Sequence, residues 1–337
     1  TLTKTYDGTT TAAGATVSGS VTGAVTGDSL SLNTSGITLA YNNAHVANAT
    51  SIVASGSSSL TIGTSAASSV ATDYTFTAPT IANATATITP KALTATASIG
   101  GTLTKTYDGT STATGATVSG SISGAVSDDV LSLNTTGISL AYNSARVATA
   151  NKVVATGNGT LSINSPSLSS VATDYSFTAP VIADVTATIT PKALTATASI
   201  GGTLTKTYDG TTTATGATVS GTVTGGIVGD TLSLNTSGIT LAYNNAHVAS
   251  ANKITAAGSG VLAIASSGSN SVASDYSFTA PTITDVNATI TAKALTASAS
   301  IGGTLTKTYD GTTAATGASV SGTVTGAIAG DTLSLNT

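Results

Sequence analysis

Cysteine, methionine and tryptophan are absent from this 337-residue chain, no glutamate or glutamine occurs in it, and all 14 acidic residues are aspartate. Without cysteine there is no disulfide framework, the commonest staple of small secreted domains, so each folded unit must hold by its core. The good helix formers Glu, Gln and Met are missing and Arg146 is the single arginine, while Thr, Ser, Ala, Gly, Val and Asn dominate. That alphabet favours extended strands punctuated by Gly and Asn turns. Charge is scarce too: 10 Lys and Arg stand against 14 Asp, a net charge of -4 spread evenly along the chain. No basic patch is available, which argues against nucleic acid or an anionic membrane as partner. The positive mean hydropathy and regular apolar alternation set the chain apart from disordered low-complexity sequence.

What is present is repetition. The opening "TLTKTYDGTT" returns at Thr102, Thr203 and Thr304, so that Tyr6, Tyr107, Tyr208 and Tyr309 are each 101 residues apart with no insertion or deletion. This period exceeds the usual solenoid repeat of about 20 to 50 residues and matches an independently folding domain. The last residues repeat the start of the unit and stop in mid-pattern, as expected of a window onto a longer protein. With the unit framed at its seams, Pro90 and Lys91, Pro191 and Lys192, Ala292 and Lys293, the expected domains are 1–90, whose first strand is missing, 91–191, 192–292 and the truncated 293–337. Each seam reads as two strands separated by one or two residues, with no flexible linker, which predicts closely coupled neighbours.

Within the second unit, "KALTATASI" places Leu93, Ala95, Ala97 and Ile99 on one face and Ala92, Thr94, Thr96 and Ser98 on the other, the period of a half-buried strand. Alternation resumes in "ATVSGSIS", "DVLSLN" and "GISLAY", and the variable stretch from Ala148 to Ser170 reads as two strands, "KVVAT" and "TLSIN", joined by turns. In the recurring triplet Tyr6-Asp7-Gly8, Tyr107-Asp108-Gly109, Tyr208-Asp209-Gly210 and Tyr309-Asp310-Gly311, the Tyr is expected to anchor a strand end and the Asp-Gly pair to turn the chain. Eight or nine short strands per unit predict an all-β fold, a tandem array of immunoglobulin-like β-sandwich domains, with a β-solenoid as the alternative. Tyr175, two residues before Phe177, has the spacing of the tyrosine corner of such sandwiches.

The words "KALT", "KTYDGTT", "GD" before an apolar strand, "DYSF" and "ATITPK", in that order, resemble the YDG repeat domain of very large bacterial surface and secreted proteins, including filamentous haemagglutinin-like adhesins. The resemblance implies a bacterial exoprotein built from many stalk-like domains. It implies no enzymatic activity and brings no functional residues with it.

Few residues offer chemistry. His45 and His247 occupy equivalent places, but the middle copy has Arg146 there, which can be neither a metal ligand nor a general base, so all three read as surface residues. The isolated aspartates lack the clustering that calcium requires and read as turn formers, as does the pair Asp128-Asp129. Lys4, Lys105, Lys206 and Lys307 before the YDG word, and Lys91, Lys192 and Lys293 at the seams, read as solvated lysines guarding strand edges, with an internal Lys–Asn cross-link as the rival idea. Sequons such as Asn83-Ala84-Thr85 arise readily in this composition. No catalytic triad or phosphate-binding loop is recognisable, so neither an enzyme nor a cofactor or metal site is expected. The expected role is structural, a stiff filament or adhesin stalk outside the cell or on a bacterial surface. Its partners would be neighbouring repeats and other copies of the filament, with no transmembrane segment in this window. The alternatives are a glycan- or surface-binding module using Tyr142, Asn143 and Arg146, a laterally assembling fibre, and a threonine-ladder ice-binding surface.

Overall fold

In a computed structural model of the chain, residues 2–127, 129–165 and 170–337 are described. Asp128 of the acidic pair and residues 166–169 of the variable stretch lie outside them. Helical structure among the described residues consists of three single 3-10 turns, Ala71–Asp73, Ala172–Asp174 and Ala273–Asp275, at equivalent places in three copies.

The alternation in "KALTATASI" becomes the strand Thr94–Gly101, with Ala95, Ala97 and Ile99 turned inward and the hydroxyl residues exposed. It pairs antiparallel with Ala116–Ser123, Ile99 opposite Val118 and Ala95 opposite Ile122. On the outer face the hydroxyls bond each other across the ladder, Thr96 to Ser121 at 3.0 Å and Thr197 to Thr222 at 2.9 Å. The wealth of Thr and Ser therefore provides cross-strand pairs. On the inner face Gly120 is required by close packing: a Cβ there would stand 2.6 Å from Leu133 Cδ2 and 2.5 Å from the Thr96 carbonyl.

Leu133 belongs to Val130–Asn134, which pairs antiparallel with Thr160–Ser165 through a bulge after Val130. Ser139–Tyr142, Lys152–Thr156 and Val185–Thr186 form a three-stranded antiparallel sheet. A different pairing links the two ends of a copy. Thr3–Thr5 runs parallel to Thr87–Thr89, with Lys4 opposite Ile88, and Thr205–Thr207 runs parallel to Thr289–Thr291. After Thr87–Thr89 the single residue Pro90 intervenes before the next strand, Lys91–Ala92.

The chain is thus an all-β tandem array of two- and three-stranded sheets, none of which closes into a barrel among the described residues. Its longer pairs are antiparallel, unlike the stacked parallel coils of a β-solenoid. The tyrosine-corner expectation needs correction. The Tyr175 hydroxyl donates to Asp129 Oδ2 at 2.5 Å and accepts from the Val126 N–H at 3.2 Å, 46 and 49 residues upstream, where a corner tyrosine would bond a few residues away.

By contacts the chain divides into two compact units. The first comprises Thr1–Lys105, Ser111–Ser144 and Ala150–Thr188; the second comprises Thr106–Thr110, Ala145–Thr149 and Ile189–Thr337. Two short loops of the second copy, its YDG turn and the loop carrying Arg146, thus belong with the third copy. The first unit's core shows the same pattern, since Tyr6, Tyr41, Ile52 and Ile88 cluster with Tyr175 from the following copy. In the second unit Ile200, Tyr243, Ile254 and Ile290 form the corresponding cluster.

Candidate functional site

The YDG turn is built locally. Tyr6 ends the parallel pair by donating its N–H to the Thr89 carbonyl at 2.9 Å, and only 1% of the residue is exposed. Asp7 Oδ1 then accepts from the Thr9 N–H and hydroxyl, both at 2.9 Å, while Gly8 takes the left-handed conformation, φ 78°, that closes the turn. The same aspartate bonds recur at Asp108, Asp209 and Asp310. The hydrogen bond from Lys206, joined by those from Thr211, holds the Asp209 carboxyl down to about 2.

The lysine before the turn is not a solvated edge guard. Lys4 Nζ donates to Asp7 at 2.6 Å and to the Thr9 carbonyl at 2.7 Å, and it lies 5.4 Å from the centre of the Tyr41 ring. Lys206 repeats this geometry over Tyr243. Because Lys4 is on the inward side of its short strand, its ammonium is carried under the turn rather than into water.

The Tyr6 hydroxyl bonds Ser170 Oγ at 2.6 Å, and its ring meets Tyr175 edge to face with centroids 5.6 Å apart. Tyr107 does the same one copy later, bonding Ser271 at 2.7 Å and meeting Tyr276 at 5.6 Å. Burial raises the hydroxyl pKa of both Tyr6 and Tyr107. The YDG tyrosine thus anchors its own strand end and also reaches into the next copy. This burial is not uniform: Tyr208 is half-buried and Tyr309 is 93% exposed.

Beside each tyrosine pair lies a fully buried carboxylate. Asp174 closes the 3-10 turn by accepting from the Val171 N–H through Oδ2, and it takes two donors from the preceding copy, His45 Nδ1 and the Val46 N–H, each at 2.8 Å. Asp275 is held equivalently by Arg146 Nη1 at 2.8 Å and the Val147 N–H at 3.0 Å. The surface reading of His45 and Arg146 is therefore overturned. Both supply a donor to a buried acid, a task an imidazole and a guanidinium can share although they cannot share metal ligation or base catalysis. His247 instead stacks on Tyr208 at 6.5 Å and lines a cavity of about 320 Å³ with Val248, Leu295, Ile328 and Leu333.

A second tyrosine in each copy ties this joint to the neighbouring loop. Tyr74, Tyr175 and Tyr276 donate to Asp28, Asp129 and Asp230, all at 2.5 Å. Burial, followed by the bond to Asp129, pushes the Tyr175 hydroxyl up to about 12. At the seams, Lys91–Ala92 runs parallel to Tyr175–Ser176 and Lys192–Ala193 to Tyr276–Ser277, while Pro90, Pro191, Ala292 and Lys293 are exposed.

The residues suggested for a glycan reader are occupied otherwise. Tyr142 is buried, Asn143 Oδ1 accepts from the Asn151 and Lys152 N–H groups, and Arg146 is held by Asp275. Among the described residues no three His, Asp or other acidic or thiol side chains group to hold a metal ion. No helix among them is long and apolar enough to cross a membrane.

The short words of the sequence are thus parts of one device: the YDG tyrosine, the GD aspartate and the DY pair meet at each joint. Three stretches, residues 1–82, 89–180 and 190–284, match the family described as the YDG domain. The chain belongs to the YDG-domain family. Searches of curated proteins and of solved structures gave no match. In these YDG domains sequence reading missed Ser170, Asp174 and their equivalents, although "SVATDY" at Ser69 and Ser170 and "SVASDY" at Ser271 recur as faithfully as the YDG word itself. Recurrence was visible, but a partner in another copy was not.

Proposed function

We propose that this chain is a structural element, a stiff stalk or filament segment outside the cell or on a bacterial surface, and that it acts by geometry rather than catalysis. The observation that carries this reading is the repeated joint, Tyr6 with Ser170 and His45 with Asp174, then Tyr107 with Ser271 and Arg146 with Asp275. A linker of one proline leaves little slack, and a buried carboxylate bonded across the joint resists bending because loss of either partner strands an unsatisfied charge. Length then grows by adding copies, each locked to the next.

Electron microscopy of the isolated chain tests the proposal. Domains locked end to end give an axial rise of about 35 to 45 Å per 101 residues, as strands of about 6 to 10 residues plus turns require. A flexible string of beads with no preferred angle at the joints would refute a stalk. A rise of about 24 Å, that of five coils stacked at about 4.8 Å, would refute the domain arrangement itself.

A further inference from the structure

The strand written "KALTATASI" and its partner form a ribbon with two open edges. Thr94–Gly101 pairs with Ala116–Ser123, and Thr195–Gly202 with Ala217–Thr224; among the described residues no further strand joins either sheet. The Thr102 N–H donates to the Gly115 carbonyl at 2.7 Å. By the alternation of an antiparallel ladder, Ala95, Ala97 and Ile99 therefore turn their N–H and C=O groups away from the partner strand, as do Val118, Gly120 and Ile122 opposite them. Leu93, the preceding outward group on this edge, donates to the Ser176 carbonyl at 3.0 Å, and Leu194 donates to Ser277 at 2.9 Å. The edge is thus paired where a strand reaches it, and past that point no backbone hydrogen bond from another described segment meets it. Both ribbons lie in copies that have another copy before and after them, so the open edge belongs to the repeat itself.

Exposed strand edges are ordinarily blunted by a charge, a proline, a bulge or a short length. Other sheets of the second copy carry such devices. Val130–Asn134 and Thr160–Ser165 bulge after Val130, and Lys152–Thr156 opens on a lysine that pairs with Asp184 at 2.6 Å. The ribbon has none of them. Its strands "TATASIGG", "ATVSGSIS" and "ATVSGTVT" contain no charged residue and no proline, and each runs eight residues in unbroken register.

We propose that this ribbon is a lateral docking surface for a second copy of the same chain. The open edge of Thr94–Gly101 or Thr195–Gly202 in one molecule pairs antiparallel with the open edge of Ala116–Ser123 or Ala217–Thr224 in another. The occupant follows from the pairing the ribbon already shows. A strand presents the same side chains to both of its neighbours, so the new pair repeats the existing register: Ile99 opposite Val118 and Ala95 opposite Ile122 on the inner face, Thr96 opposite Ser121 on the outer. In that register the outward N–H and C=O groups of the two strands face each other. Neither strand brings a charge, so no like-charge repulsion opposes the contact. Because the two edges differ, the contact is heterologous, and each added molecule leaves one edge of each kind open. The inference goes beyond the stalk proposal and does not rest on it, since it concerns the sides of the copies and not the joints between them.

The test is sedimentation velocity of the 337-residue chain from low to high micromolar concentration, beside a variant that combines Ala97→Pro, Ala198→Pro and Ala299→Pro. Each proline removes one outward N–H from an equivalent strand and leaves the ladder bonds within the ribbon in place. Circular dichroism checks that the variant keeps its strands. The expected result is a sedimentation coefficient that rises with concentration for the unaltered chain and stays at the monomer value for the variant. Amide hydrogen exchange of the unaltered chain, read residue by residue, needs no variant. Ala95, Ala97 and Ile99 should exchange more slowly at high concentration than at low, while Thr96 and Ser98, already bonded within the ribbon, should not change. A monomer at every concentration, association that the folded variant retains, or association without added protection at those three amides would overturn the proposal.

Discussion

The hydroxyl of Tyr6 lies 2.6 Å from Ser170 Oγ, 164 residues further along the chain, and Tyr107 stands in the same relation to Ser271 at 2.7 Å. Each pair joins the turn of one copy to the buried wall of the next, so it separates contributions to a joint from contributions to a single copy. Tyr107→Phe, which keeps the ring and removes one hydrogen bond, is expected to cost about 1 kcal/mol, rising toward about 3 if Ser271 is left unsatisfied. Tyr107→Ala also opens a cavity against Tyr276 and should cost about 3 to 5 kcal/mol. Urea unfolding followed by tyrosine fluorescence measures both; equal losses for the two variants would mean that packing across the joint contributes nothing.

The buried carboxylate predicts a sharper asymmetry. His45→Arg copies what the second copy already does, and it should keep stability within about 1 kcal/mol because a guanidinium presents the same donor. Asp275→Asn should cost about 3 to 5 kcal/mol, because one amide oxygen cannot take all three bonds now given by Arg146, Val147 and Val272, and the amide NH2 must then face at least one of those donors. Thermal unfolding of both variants checks this. A harmless Asp275→Asn would show that the carboxylate does not hold the joint.

Glycine substitutions distinguish the turn from its surroundings. At Gly109 φ is +80°, and a Cβ would approach Ile227 Cδ1 at 2.6 Å and the Ser269 hydroxyl at 2.8 Å, so Gly109→Ala meets both a backbone penalty of about 1 to 2 kcal/mol and a collision. Gly100 has an ordinary φ, and a methyl placed on its Cα would meet nothing within 4 Å, so Gly100→Ala should change stability by less than about 1 kcal/mol. Equal melting temperatures for the two variants would contradict this account of the YDG glycine.

Aspartates shifted down and tyrosines shifted up act together at the pH limits, and Asp209 and Tyr175 show the sign at each end. Asp209, held down to about 2 against an unfolded carboxyl near 3.8, binds fewer protons folded than unfolded in that interval, so its contribution is complete above pH 3.8 and fades as pH falls toward 2. Tyr175, pushed up to about 12 from 10, keeps its proton in the folded state after the unfolded chain has lost it. Its contribution is complete below pH 10 and is lost as pH rises through 12. Urea midpoints measured across both windows should fall at each end, and Asp209→Asn should flatten the acid limb. An acid limb unchanged by that substitution would remove Asp209 from the explanation.

Much of this fold was legible in the residues. Alternation in "KALTATASI" gave the strand with Ile99 inward, the Asp-Gly pair gave a left-handed turn, and the proline at the seam marked a gap of one residue. These are local properties, set by side-chain period and backbone preference within about ten residues. The joint was not legible. His45 looked like a surface residue because Arg146 replaces it, and Lys4 looked like a solvated charge because nothing in "TKTYDG" shows that its strand pairs with one 84 residues later.

By itself, then, the sequence determined an all-β tandem array with a 101-residue period, because repetition and alternation need no partner to be read. Only the tertiary structure decided that Tyr6 and His45 act on Ser170 and Asp174. A hydrogen bond or edge-to-face ring contact depends on atoms brought within a few ångströms by chain closure, and sequence distance carries no trace of that. The repeat is written in the chain; the lock between repeats exists only when the two copies are folded against each other.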